Sequence, residues 1–223
     1  MLAEKLTQVG CRIIQANTDG LFVLLKKDNY QQVNTICRNW EQLTKLTLEE
    51  ERFEAMYQYA INDYIAVKEG YQKTKNPDLI KTKGMFITKV LLGKGLSAKI
   101  IPEAIIKYFV DGIPVEQTIK ECKDIKKFLM SEKTGKQWHV EYMNEEQQRT
   151  NRFYASTNGG YLWKWKDNNG VQAYQNMLSS SGVTLLNKFD DKPIEERKIN
   201  YRYYLREALK IIEELQPRQL ELF

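Results

Sequence analysis

Soft metal ligands are scarce in this sequence: histidine occurs once, at His139, and cysteine only at Cys11, Cys37 and Cys122. No Cys-x-x-Cys pair is present, so a zinc site is not expected. Three widely spaced thiols, an odd number, fit reduced cysteines inside a cell better than a secreted disulfide framework. No stretch is long and apolar enough to cross a bilayer, and the opening Met1-Leu2-Ala3-Glu4-Lys5 lacks the basic-then-apolar layout of a signal peptide. Internal repeats are absent. What is present is an ordinary globular composition, 42% hydrophobic and 28% charged over 223 residues, sufficient for one sizeable core or two small ones. The net charge of +5 permits an acidic partner without requiring one. Tyrosine is abundant, at 13 residues, and several lie beside Arg or Lys. Such pairs suit a phosphate-rich partner, and they also arise along sheet edges.

The spacing of apolar residues predicts an α+β fold. Residues 1–8 form a short helix. The runs Cys11–Ala16 and Leu21–Leu25 flank Asn17-Thr18-Asp19-Gly20 and read as a hairpin. Asp28 is a suitable N-cap for a helix to about Leu43, with Val33, Ile36, Cys37 and Trp40 on one face. From Leu46 to Glu69 a β-meander is expected, then a turn over 73–78 and an extended Lys81-Thr82-Lys83. One helix starts at Pro102, and a second runs from near Pro114 to Met130. A polar connector over 144–148 precedes an aromatic, basic hairpin. Its arms are Arg152–Ser156 and Tyr161–Lys166, joined by a turn at Thr157–Gly160. An amphipathic helix over 194–215 carries Tyr201, Leu205, Ala208, Ile212 and Leu215 in one stripe. Pro217 ends it, leaving Arg218 to Phe223 as a free end.

Three groups of residues could carry chemistry. A tight hairpin tip holds a carboxylate rigidly, and nucleotidyl transfer needs carboxylates to hold magnesium beside a triphosphate, which marks Asp19. Asx-Gly turns are equally the commonest ordinary hairpin tips. Lys81 and Lys83, two apart on a strand, face one side and could grip a nucleic-acid backbone, or could simply protect an exposed strand edge. Arg152, Tyr154, Lys164 and Lys166, with Trp163 and Trp165 alternating between the lysines, offer a second basic-aromatic surface. The tryptophans could instead be core residues. His139, beside Trp138, has no evident catalytic partner.

The stretch Gln15-Ala16-Asn17-Thr18-Asp19-Gly20-Leu21 resembles motif C of family B DNA polymerases, usually Tyr-Gly-Asp-Thr-Asp-Ser. Downstream, Lys81-Thr82-Lys83-Gly84 resembles the family's basic Lys-x-Lys/Arg-Tyr motif. Residues 96–104 and 108–115 look like the entry to the thumb, and Ile199-Asn200-Tyr201-Arg202-Tyr203-Tyr204 like the opening of the thumb's last helix. The resemblance implies a partial palm over 1–95 (a hairpin and meander with a packed helix), a mostly helical thumb with a β-hairpin over 96–215, and a tail over 216–223. It makes Asp19 the magnesium ligand and Asn17, where the family has its first aspartate, a hydrogen-bonding support. Gly84 stands where the family commonly has tyrosine. Finally, Gln219-Leu220-Glu221-Leu222-Phe223 matches the bacterial sliding-clamp peptide Gln-Leu-x-Leu-Phe, so Gln219, Leu220, Leu222 and Phe223 are expected to bind a clamp. Folding back onto the thumb is the alternative for these side chains.

The family places its motif A aspartate, nucleotide-binding helix and exonuclease upstream of motif C. The resemblance therefore implies a chain that contributes one Mg2+ ligand and acts only with an upstream polymerase half. Its partners would be primer-template DNA, dNTP and a clamp, with no membrane, in the cytoplasm of a bacterium or a phage-infected cell. Two other functions fit the sequence: a non-catalytic DNA- or clamp-binding remnant of such an enzyme, and a module that binds single-stranded RNA through the aromatic-basic hairpin.

Overall fold

A computed structural model describes residues 1–18, 20–84, 91–92 and 95–215, with the backbone alone at Tyr59, Leu91, Leu92, Gly95 and Leu96. The described residues form six α-helices and four small antiparallel sheets, an α+β fold. They divide into two compact units, Met1–Arg52 and a second beginning at Phe53. The palm-to-thumb boundary expected at 95/96 falls within the second. Among the described residues no helix is long and apolar enough to cross a membrane.

In the first unit, helix α1 (Leu2–Gln8) leads into strands β1 (Arg12–Ala16) and β2 (Leu21–Leu24), and helix α2 (Tyr30–Thr44) follows. Leu6, Cys11 and Val33 form its buried centre, with Ile13, Val23, Ile36 and Cys37 packed around them. Asp28 is not the cap of α2. It lies in a 3-10 turn over Lys27–Asn29, and Asn29 precedes the helix. Asn29 instead donates its side-chain amide to the Val9 carbonyl at 3.0 Å, tying α1 to α2. Helix α2 ends at Lys45 in a left-handed conformation, φ 61°. The segment beyond was expected to begin the meander, yet it runs back irregularly along α2. The Leu48 amide donates to Glu41 at 2.7 Å, and Tyr30 bonds both Glu50 and Arg52. The Arg52–Glu50 ion pair is exposed and screened by water, so it contributes little.

The second unit opens with the expected meander. Strands β3 (Phe53–Ala60), β4 (Asp63–Lys68) and β5 (Ile80–Lys83) pair in that order, with the short helix α3 (Tyr71–Thr74) between the last two. The short strands β6 (Leu91–Leu92) and β7 (Gly95–Leu96) lead to helix α4 (Ile100–Asp111). Pro102 sits in its first turn, where a missing N–H costs nothing. Gly112 ends it at φ 68°, with Ile113 N–H bonded back to the Lys107 carbonyl. Helix α5 (Val115–Glu121) is much shorter than the expected run to Met130. Cys122 is extended, and the Asp124 side chain accepts the Lys126 amide to start a separate 3-10 turn. Lys127 of that turn and Lys107 both bond Glu103 on α4, at 2.7 and 3.0 Å. Burial alone would raise the Glu103 pKa, but these two lysines outweigh it and lower it.

Strands dominate the stretch before the last helix, where a mostly helical thumb was expected. They are β8 (Met130–Lys133), β9 (His139–Tyr142), β10 (Glu145–Gln147), β11 (Thr150–Gly160), β12 (Leu162–Asn168), β13 (Val171–Asn176) and β14 (Val183–Leu185). The residues read as a polar connector at 144–148 are largely β10, which pairs with β9 across a Met143-Asn144 turn with both φ positive.

The aromatic hairpin is also rearranged. Strands β11 and β12 do not pair with each other: β11 lies between β14 and β8, and β12 between β9 and β13. Residues 157–160 are not a hairpin turn. There β11 bulges away from β14, so that both Ala155 and Gly160 face Val183, while Thr157 N–H bonds the Lys198 carbonyl. A Cβ on Gly159 would come within 2.1 Å of the Val183 carbonyl oxygen, so only glycine allows that approach. The hairpin turn is Asn169-Gly170, both at positive φ, joining β12 to β13.

Helix α6 (Tyr201–Leu215) closes the unit, preceded by a 3-10 turn at Ile194–Glu196. Its stripe is as read, joined by two tyrosines. The fully buried Tyr204 donates its hydroxyl to the Phe128 carbonyl and accepts the Ala155 amide, both at 2.8 Å. Tyr203 reaches the Met130 sulfur at 3.6 Å. Removing the Tyr204 ring would forfeit roughly 1.5–3 kcal/mol of burial, more than either hydrogen bond supplies. Ile65 and Val67 of β4 share this core with Ala104 and Ile105 of α4 and Ala208 and Ile212 of α6.

Candidate nucleic-acid interface

The motif that resembles the polymerase centre folds as the ribbon β1–β2. Its strands pair Arg12 with Leu24 and Ala16 with Leu21, with a bulge between Ile13 and Gln15. Asn17 closes the turn twice over. Its N–H donates to the Gly20 carbonyl at 3.1 Å, and its Oδ1 accepts the Gly20 N–H at 2.8 Å. Asn17 is thus a brace of the turn. Asp19, the expected metal ligand, lies outside the described residues. Among the described residues no three His, Cys, Asp or Glu side chains converge to hold a metal ion.

Lys81 and Lys83 lie on β5, which among the described residues is an edge strand of its sheet. Both are exposed, while Ile80 before them and Thr82 between them are partly buried, as the two-residue period requires. Their cross-strand neighbours on β4 are Ala66 and Tyr64. The next residue, Gly84, has φ 121°, and a Cβ there would come within 2.8 Å of the Asp63 Cα. The backbone here does not accommodate the tyrosine common in the polymerase motif.

The four residues expected to form a second basic surface are dispersed. Tyr154 is only 3% exposed and donates its hydroxyl to the Arg197 carbonyl, so it is a core residue. Lys164 pairs with Glu132 at 2.7 Å, and its side chain is largely buried. Lys164 and Lys166 both stand over the Trp138 ring, at 5.5 and 5.3 Å. Trp163 and Trp165 point to the opposite side of β12 from the lysines, so the ring beside Lys164 and Lys166 is that of Trp138 and not of either neighbouring tryptophan.

Arg152 is exposed and has different company. Asn187 accepts the Arg152 backbone N–H at 2.8 Å and donates to the buried Asn151 at 2.9 Å, pinning the chain after β14 onto β11. This brings Phe189, 52% exposed, under the Arg152 guanidinium at 5.8 Å. The Lys126 ammonium approaches the same ring at 5.4 Å. Arg197 fixes the following loop by bonding Asp190 and the Lys192 carbonyl. Among the described residues neither Arg152 nor Lys126 has a carboxylate partner. Two cations at one exposed ring can hold a phosphate and stack a base or sugar. Sequence reading missed Lys126 and Phe189, which lie far from Arg152 in the chain. Lys188-Phe189, a basic-aromatic pair in a polar loop, was the available signal.

The clamp-peptide residues Gln219, Leu220, Leu222 and Phe223 lie outside the described residues. His139 is stacked on Trp165 and bonded to Glu146. In comparisons with known proteins, no family model matches this chain, and no curated protein sequence matches it.

Proposed function

We propose that this chain is the C-terminal part of a family B DNA polymerase, with part of the palm in residues 1–95, the thumb in 96–215 and a clamp-binding tail in 216–223. In this reading Asp19 contributes one Mg2+ ligand and an upstream polymerase half contributes the other. Lys81, Lys83, Arg152 and Lys126 meet the backbone of primer-template DNA, with Lys166 at the margin. The tail through Gln219, Leu220, Leu222 and Phe223 engages a bacterial-type sliding clamp in the cytoplasm of a bacterium or infected cell. Tyr154 and Lys164 have no part in DNA contact, because one is buried and the other is neutralised.

The observation that carries the reading is the ribbon itself: Gln15 to Leu21 folds into two paired strands whose turn is locked by Asn17. Supporting it are the paired, exposed lysines of the edge strand β5 and the start of α6 at Tyr201, within the stretch that resembles the thumb's last helix.

Equilibrium binding of a fluorescent primed duplex, compared with single-stranded RNA of equal length, tests the assignment to DNA. Tighter binding to the primed duplex, with log affinity falling linearly in log salt, is expected. Preference for the single-stranded RNA would oppose it and favour an RNA-binding module.

A further inference from the structure

The sheet of β10, β9, β12 and β13 turns Val140 and Leu162 into the core and presents its other face outward. Register sets Trp163 opposite Glu141, Trp165 opposite His139 and Tyr174, and Glu141 opposite Glu146, all on the outward face. Trp165 stacks on the His139 ring at 4.4 Å and lies 6.0 Å from Tyr174. Glu146 holds the His139 ring through Nδ1 at 3.1 Å. Trp163 is 37% exposed and Tyr174 53%. The result is a row of aromatic rings fixed on a pleated surface.

The charge on this face runs against that of the whole chain. Although the net charge is +5, no lysine or arginine occupies any paired position on this side of the sheet. Glu141 and Glu146 are directly opposed across strands, an arrangement of like charges that weakens a sheet. Glu141 has no hydrogen-bond or ion-pair partner among the described residues. Anchored indole rings beside an unsatisfied carboxylate are complementary to a cation, which gains from both the ring faces and the charge. They repel phosphate.

We infer that this outward face docks a protein segment presenting arginine or lysine side chains, which lie over Trp163 and Trp165 and pair with Glu141. The face carries none of the residues assigned to DNA contact and is separate from the polymerase reading. The test is fluorescence anisotropy of a short labelled Gly-Arg repeat peptide titrated with the whole chain. Unlabelled Gly-Glu peptide, oligothymidylate and a cello-oligosaccharide serve as competitors. The Gly-Arg peptide binds, and Glu141→Gln and Trp163→Ala each weaken it roughly tenfold. Glu195→Gln, a carboxylate elsewhere that pairs with Lys123, leaves it unchanged. Circular dichroism and melting establish that the variants fold, and Glu141→Gln alone decides if Trp163→Ala does not. Equal affinity of parent and Glu141→Gln, or displacement of the peptide by oligothymidylate or the cello-oligosaccharide, overturns the inference.

Discussion

Asn17 and Gly20 are joined by a reciprocal pair of hydrogen bonds, one through the backbone of Asn17 and one through its side chain. The first polymerase-like aspartate position is therefore filled by a residue whose oxygen is committed to holding the turn. Asn17→Ala removes the side-chain bond and leaves the backbone one. In this exposed turn the loss is about 1 kcal/mol, so amide exchange at Ile13 and Val23 quickens roughly fivefold. Unchanged exchange would show that the brace contributes nothing.

Gly159 tests the bulge that replaces the expected hairpin turn. Its Cβ in Gly159→Ala would strike the Val183 carbonyl, which is part of β14 and cannot swing aside as a flexible side chain could. A loss of about 1–3 kcal/mol in urea unfolding is expected. Gly170→Ala, where a Cβ meets nothing but φ is 82°, costs only about 1 kcal/mol.

Burial pushes the Tyr203 pKa up to about 12 and that of Tyr204 well above its ordinary value. A phenol that ionises later when folded than when unfolded stabilises the fold fully below pH about 10, and its contribution disappears as pH rises towards 12. Unfolding free energy should thus fall by on the order of 2–3 kcal/mol across that interval for Tyr203 alone. Tyr203→Phe, which loses only a weak bond to sulfur, should flatten that part of the profile. Tyr204→Phe is costlier, about 1–3 kcal/mol, because it strands the buried Phe128 carbonyl or Ala155 amide.

Arg152 and Lys164 were alike in sequence and differ in structure, so they should separate in a binding assay. Arg152→Ala and Lys126→Ala each weaken primed-duplex binding and reduce the salt slope by about 1. Lys164→Ala leaves the slope unchanged and instead lowers stability, because Glu132 loses its partner. A reduced slope for Lys164→Ala with none for Arg152→Ala would reverse the assignment.

Local signals made part of the architecture legible. The β1–β2 ribbon announces itself by two apolar runs around Asn17–Gly20, and the α6 stripe by its helical period. The sequence misled where two turn signals competed. Asn158-Gly159-Gly160 has turn composition, but Gly159 serves a close backbone approach, whereas Asn169-Gly170 is the two-residue turn. Residues 115–130 keep an apolar rhythm past Cys122, but the backbone is already extended at Cys122, and the bond from Lys126 N–H to Asp124 starts a separate turn. Strand β10 hid because an edge strand with most of its surface in water needs no apolar alternation. The Arg152–Phe189–Lys126 cluster depends on long-range contacts through Asn187, which no local pattern encodes.

Primer extension tests the central claim most directly. The chain is combined with a polypeptide supplying the upstream palm, magnesium, dNTPs and a primed template, and compared with its Asp19→Ala variant. The account predicts extension by the parent and its loss, by a factor of about a thousand or more, in Asp19→Ala. Extension by the variant at the parental rate, or none by the complemented parent, would contradict it.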